Sequence, residues 1–263
     1  MKAPSPLLLC IYLDLDLDLD LDLELLNEGA ATAAVRSIST QCEYLTQAVG
    51  ETRDAPKKLL NGAVLLLGDL AGGGVAASKA VFGVGAHNTI TEAMLELGLG
   101  DDLELQRNGA AALEKLAFGP SACSGIISGG GLKALTAGMR HNHADLDLQE
   151  AGISAFAALL SQGEPLFKEA LTLTLTLTLT LSSGEPLFKE AVEAGVHLAA
   201  LQVTGQPTYI GNTDLQLGGL KVLIAICGSS QGRDAVAREG GLEAGRACML
   251  RDSVEESALD MET

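Results

Sequence analysis

The chain has 263 residues, 47% of them apolar and 3% aromatic with no Trp, and its 34 acidic against 17 basic residues give a net charge of −17. That length and apolar fraction suffice for a buried core and exclude wholesale disorder. So acidic a chain repels a phosphate backbone, and so few aromatics supply no stacking platforms, which together exclude nucleic-acid binding.

The N-terminus carries Lys2 and a short apolar run, which leaves a signal peptide as an alternative reading, but the run stops at Asp14 with no clean small-residue cleavage site after it. No apolar stretch reaches the roughly 18 residues of a membrane span. Cysteines fall at 10, 42, 123, 227 and 248, an odd number without metal-ligand spacing. They read as reduced thiols in a cytoplasmic or nuclear protein, with no disulfide framework and no bound metal.

Residues 13–24 alternate Leu with Asp, ending in Glu. Strict alternation is the period of a half-buried strand, but a perfect two-residue repeat also resembles translated microsatellite DNA. Residues 1–26 are therefore expected to be a disordered low-complexity segment. NEGAATAAVRSI at 27–38 and STQCEYLTQAVG at 39–50 are expected as a first and a second helix.

A long-period repeat follows. LLNGAVLLLGDLA at 59–71, LQRNGAAALEKLA at 105–117, LQEAGISAFAALL at 148–160 and LQLGGLKVLIAIC at 215–227 share a leading Leu, small residues at the fourth to sixth places and helical apolar spacing. Their starts lie 46, 43 and 67 residues apart. A glycine landmark runs out of phase with them, at Gly85, Gly131, Gly195 and Gly241, with spacings of 46, 64 and 46.

Both series are broken at the same place. SQGEPLFKEA at 161–170 and SSGEPLFKEA at 182–191 flank the Leu/Thr tract of 171–181. Tract plus second copy make 21 residues, and excising them restores both periods. Residues 171–191 read as an insertion, a duplication or gene-model error, whose uncharged Leu/Thr tract is an edge-pairing hazard if ordered.

Each unit predicts three helices. The first is short and closes on a Gly able to adopt the left-handed conformation. The second follows at once, as in LKALTAGMRH at 132–141 or LAALQV at 198–203. After a polar turn, Asp145 and Asp214 suit the cap or first turn of the third helix. Gly109 and Gly152 let neighbouring helices approach closely.

This order of a short helix ending in Gly, a second helix, a polar turn and an LQ-led third helix resembles the armadillo repeat over about 57–248. The resemblance implies an all-α, right-handed superhelical solenoid of about four to five three-helix repeats. It further implies third helices lining a concave groove that binds an extended peptide or a partner protein, with each repeat leaning on its neighbours. Nuclear-import members of that family carry Trp and Asn at the seventh and eleventh places of the third helix. Here those places hold Leu65, Ala111, Ser154 and Lys221, then Asp69, Lys115, Ala158 and Ala225, so that ladder is absent. Partner-binding candidates are the charged third-helix residues of both signs, Asp69, Arg107, Lys115, Glu150 and Lys221.

Catalytic patterns are few. GSSQG at 228–232 matches the nucleophile-elbow pattern with Ser230 at its centre, after the apolar run KVLIAIC. Hydrolases with that elbow place their His after the Ser, whereas the four histidines are 87, 141, 143 and 197. The rival reading, a serine hydrolase using Ser230, is therefore disfavoured. His141 and His143 point apart on a helix and have no ligand-spaced neighbours. GGGVAASKA at 72–80 lacks the ending of a phosphate loop and reads as a link into a short helix. The expectation is a non-enzymatic interaction scaffold without cofactor, with the repeat domain at 27–250, an acidic tail at 251–263, and the chain itself conceivable as a fragment of a longer repeat protein.

Overall fold

The computed structural model describes residues 29–47, 53–96, 102–161 and 185–241. Twelve α-helices and one short 3-10 helix make up their regular structure, and no strand occurs among the described residues. The chain divides into two compact units, Met1–Glu164 and Pro165–Thr263. The expected segments 1–26, 171–181 and 251–263 lie outside the described residues, as does the first GEPLFKEA copy. The second copy supplies a helix at Glu185–Glu193.

In the first unit the helices are α1 (Ala30–Gln47), α2 (Asp54–Gly72), α3 (Val75–Gly83), α4 (Ala86–Glu96), α5 (Leu103–Leu116), α6 (Pro120–Ser128), α7 (Gly131–His141) and α8 (Leu146–Leu160). The third-type helices α2, α5 and α8 pack side by side in chain order, and the second-type helices α1, α4 and α7 do the same. The short helices α3 and α6 fill in between, each against the second and third helix of its own repeat. The core is aliphatic, from Leu60, Leu67 and Leu70 through Ile90, Met94, Leu105 and Leu113 to Ile126 and Phe156. Small and branched side chains interdigitate across these helix pairs, so a chain with few aromatics still fills its interior.

The second unit holds α9 (Glu185–Glu193), α10 (Val196–Gly205), the 3-10 turn Pro207–Tyr209, α11 (Thr213–Ile226) and α12 (Ser230–Arg238). Here α10 packs on α11, and α12 packs on α9, α10 and α11. The helix α9 is the first helix of its repeat, and α12 opens the next.

Two expectations are corrected. Residues 30–47 form one helix, not a first and a second, and this helix occupies the second-helix place beside α4. Its preceding Gly29 has φ +79 and is left-handed like the other repeat glycines. The left-handed residue is also one place earlier than expected in two repeats, at Gly130 and Gly240 and not at Gly131 and Gly241. The series Gly85, Gly130, Gly195 and Gly240 is then spaced 45, 65 and 45, more regular than the sequence landmarks once the insertion is removed. At each, φ lies between +79 and +88, a conformation that costs an L-residue about 1–2 kcal/mol and glycine almost nothing.

Candidate binding surface

The third helices are positioned by a device that repeats residue for residue. Asp102 caps α5 by accepting from the Leu105 N–H at 3.1 Å, Asp145 caps α8 by accepting from Leu148 at 3.0 Å, and Asn212 caps α11 by accepting from Leu215 at 3.0 Å. Asp214, expected as a cap or first-turn residue, stands in the first turn. Each cap satisfies an N–H that the helix leaves unpaired, for about 1 kcal/mol.

The Gln after the leading Leu then ties α5, α8 and α11 each to the second helix of its own repeat, whereas α2 has Leu60 at that place. Gln106 Nε2 donates to the Met94 carbonyl at 2.9 Å, Gln149 to Met139 at 2.9 Å and Gln216 to Val203 at 3.0 Å. All three glutamines are buried. One turn on, Gly109, Gly152 and Gly219 face the same spot: an added Cβ would meet Met94 Sδ at 2.5 Å, Met139 Sδ at 2.3 Å and Thr204 Cγ2 at 2.7 Å. The motif L-Q-x-x-G is thus a joint in which Gln bonds the end of the second helix and Gly admits its side chain.

Across repeats the third helices are laced by polar contacts. Asn61 Nδ2 donates to Asp102 Oδ1 at 3.1 Å and to Glu104 Oε2 at 3.2 Å. Arg107 Nε donates to Asp145 Oδ1 at 2.8 Å, its Nη2 also reaches Asp145, and its Nη1 lies 3.2 Å from Asp147 Oδ2. Lys115 Nζ lies 3.3 Å from Asp69 Oδ1. N-terminal halves meet N-terminal halves and C-terminal halves meet C-terminal halves, so α2, α5 and α8 run parallel. The hydrogen bond from Arg107 holds the Asp145 carboxyl below its ordinary range, while burial pushes the Glu114 carboxyl up.

Of the five partner-binding candidates, Asp69 and Lys115 are brought together as an ion pair, and Arg107 is engaged by the α8 cap. Glu150 stands exposed on α8. Lys221 lies on α11 in the second unit, partly exposed. The outer face of α2, α5 and α8 also shows Leu65 at 46% exposure, with Ala111 and Ser154 at the corresponding places. Sequence reasoning missed Asp102, Gln106, Gln149 and Gln216, although the recurring LQ and the Asp or Asn three places before its Leu carried the signal, and it missed Asn61, which no recurring pattern marks.

The elbow pattern has a different local structure from the one its sequence suggested. The run before it belongs to the helix α11 and not to a strand, and Ser229 caps α12 by accepting from the Gly232 N–H at 2.9 Å, with Ser230 as the first helical residue. His141 ends α7, and no group of three or more potential metal ligands occurs among the described residues. Among them, too, no helix is long and apolar enough to cross a membrane.

No family model and no curated protein matches the sequence. Solved structures do match the fold. An engineered protein from the Northeast Structural Genomics Consortium superposes with a TM-score of 0.61 at 18% identity, covering 86% of this chain and 74% of that one. A designed armadillo repeat protein in complex with the peptide (KR)4 superposes with a TM-score of 0.60 at 13% identity, covering 86% and 76%. At such identities the likeness speaks for architecture alone, and the architecture is all-α and of the armadillo-repeat type.

Proposed function

We propose that the chain is a protein-interaction scaffold that binds an extended peptide or partner protein along its third helices, without catalysis and without a cofactor. The observation that carries this is the parallel array of α2, α5 and α8, whose outer faces leave Leu65, Asp69, Lys115, Glu150 and Ser154 exposed in rows. The peptide carried by the designed armadillo protein supports the reading by analogy of fold. Asp69, Arg107, Lys115, Glu150 and Lys221 are the proposed contacts.

Both signs of charge occur on this face, and several charges already pair with each other. A partner is then selected by matched polar contacts and not by one strong field. The proposed compartment is cytoplasmic or nuclear, and oligomeric state does not enter the proposal.

The test is capture from a library of extended synthetic peptides by the purified full chain, repeated with Lys115→Glu combined with Lys221→Glu. The double reversal is expected to weaken capture while leaving the fold intact, since surface changes typically stay within about 0.5 kcal/mol. Unchanged capture removes the assignment. An ester-hydrolysis assay addresses the rival reading: activity that disappears in Ser230→Ala overturns the non-enzymatic account.

A further inference from the structure

The short helix α3 is hung between two glycines of positive φ, Gly74 at +110 and Gly85 at +82. Nothing crowds either position within 4 Å. Ala77, Ser78 and Val81 are the buried residues of its nine, and Val75 stands 68% exposed. A segment with so few buried side chains between free backbone pivots belongs to the low-stability end of a fold.

Ser78 and Phe82 fasten it. Ser78 Oγ lies 2.8 Å from the Ala71 carbonyl and 2.6 Å from the Lys115 carbonyl, so one hydroxyl proton serves the ends of both α2 and α5. Phe82 meets the Phe118 ring edge-on, with centroids 5.9 Å apart. Its face stacks on His87 of α4, with centroids 4.0 Å apart and planes 9° from parallel. His87 is buried, and its Nδ1 has no hydrogen-bond partner among the described residues. Gly125 of α6 closes on both rings: an added Cβ would lie 2.7 Å from Phe82 Cζ and 3.7 Å from His87 Nε2.

This place suits a neutral imidazole. A charged one would bury an N–H without an acceptor, and the phenyl face attracts a cation by less than an unpaired buried charge costs. No carboxylate compensates. Of the helices packed on α4, α6 carries no charged side chain and only the buried Cys123 thiol. Lys79 of α3, Lys133 of α7 and Arg36 and Glu43 of α1 are exposed, and Glu114 of α5 interacts with the exposed Lys115. On α4 itself Glu92 and Glu96 act on Cys42. Burial is thus the sole cause that lowers the His87 pKa. The counterpart in the second unit, His197, differs, because Glu239 favours its charged form.

We propose that α3 is a proton-released flap: protonation of His87 breaks its stack on Phe82 and frees α3 at Gly74 and Gly85, uncovering Phe118 and the Ala71 and Lys115 carbonyls. A nine-residue helix is too short to persist alone, so α3 unfolds when released. The rest of the unit stays folded, because α1, α2, α4, α5, α7 and α8 pack on one another without α3. The open form takes up its proton near the ordinary value of about 6.5 and the closed form at a lower one. Opening is therefore favoured as pH falls through about 6.5, and above that value the flap is shut. This goes beyond the third-helix reading above, and either can fail without the other.

Lys79 is the one Lys or Arg between residues 59 and 106, so tryptic cleavage after it reports release of α3. The full chain is digested at pH 7.5 and pH 5.5, and each rate is divided by that of a synthetic peptide of residues 75–84 at the same pH. One pH unit below the open-state value, linkage allows a rise of at most about tenfold. The normalised rate after Lys79 is expected to rise about three- to tenfold at pH 5.5 in the native chain and not in His87→Leu. Leu132 holds the same place in α7, so Leu is compatible with it. Cleavage after Arg107 in α5 is expected to stay unchanged, and where His87→Leu fails to fold, the native chain's two rates decide alone. A flat Lys79 rate, an equal rise in folded His87→Leu, or a parallel rise after Arg107, which is unfolding of the whole unit, overturns the proposal.

Discussion

Arg107 on α5 and Asp145 at the start of α8 form a two-point contact, with Nε 2.8 Å from Oδ1 and Nη2 on Oδ2, while the same Oδ1 accepts the Leu148 N–H at 3.0 Å. One carboxylate thus caps its own helix and anchors it to the preceding repeat. Asp145→Ala removes both functions and is expected to destabilise the protein by about 1–2 kcal/mol, the range for lost caps. Arg107→Ala removes only the anchor and is expected to cost less, since the guanidinium is partly exposed and solvent screens the pair. Urea melts of the two variants check the order; an Arg107→Ala effect as large as that of Asp145→Ala contradicts it.

Gly152 and Met139 are a matched pair, because a Cβ at 152 would lie 2.3 Å from the Met139 sulfur. Gly152→Val is expected to cost about 1–3 kcal/mol by overpacking. Met139→Ala alone leaves a cavity. The double variant is expected to be more stable than the sum of the two single losses implies, a coupling that thermal melts of all four proteins measure directly. Strict additivity means that the joint is not a packed contact.

His87 and His197 sit at the same place in their second helices, and burial pushes both imidazoles below their ordinary pKa. His87 also stacks on Phe82, with centroids 4.0 Å apart. The unfolded chain binds protons at these sites before the folded chain does. Their stabilisation is therefore present above about pH 6.5 and is lost as pH falls through that value toward the lower folded one. The corresponding residue of α7 is Leu132. His87→Leu with His197→Leu is expected to flatten the Tm profile between about pH 6.5 and 5. It leaves the further loss at lower pH, where the depressed Asp145 carboxyl titrates. A profile unchanged by the double substitution contradicts the assignment.

Deleting 171–191 joins Ala170 to Val192 and rebuilds the α9 sequence from the first GEPLFKEA copy. The shortened chain is expected to melt at the same temperature or higher and to aggregate less, because it loses an uncharged tract of high β propensity. Loop-closure entropy changes slowly with length, by about 0.6 kcal/mol per doubling. A clearly lower Tm makes the tract structural.

The sequence showed the repeat because its signals are local. A left-handed Gly stands before each second helix and an Asp or Asn caps the third helices α5, α8 and α11, and both are readable one residue at a time. Gly109 and Gly152 were likewise legible as sites of close approach. The role of Gln106 was not, because its acceptor is the Met94 carbonyl, fixed only when the second helix folds back on the third. Lacing residues were harder still. Asn61, Arg107, Glu150 and Leu217 occupy one register place with four different chemistries, so no pattern marks their neighbours. The N-terminal helix was split in two although Gly29, at φ +79, is left-handed like Gly85 and Gly195, which also stand without a second Gly.

The central claim is that the third helices carry the binding surface. Amide hydrogen exchange of the full chain, with and without the tightest peptide from the library, tests it most directly. Slowed exchange confined to α2, α5, α8 and α11 is the predicted result. Protection that instead appears on the short helices α3 and α6, or in no helix at all, contradicts it.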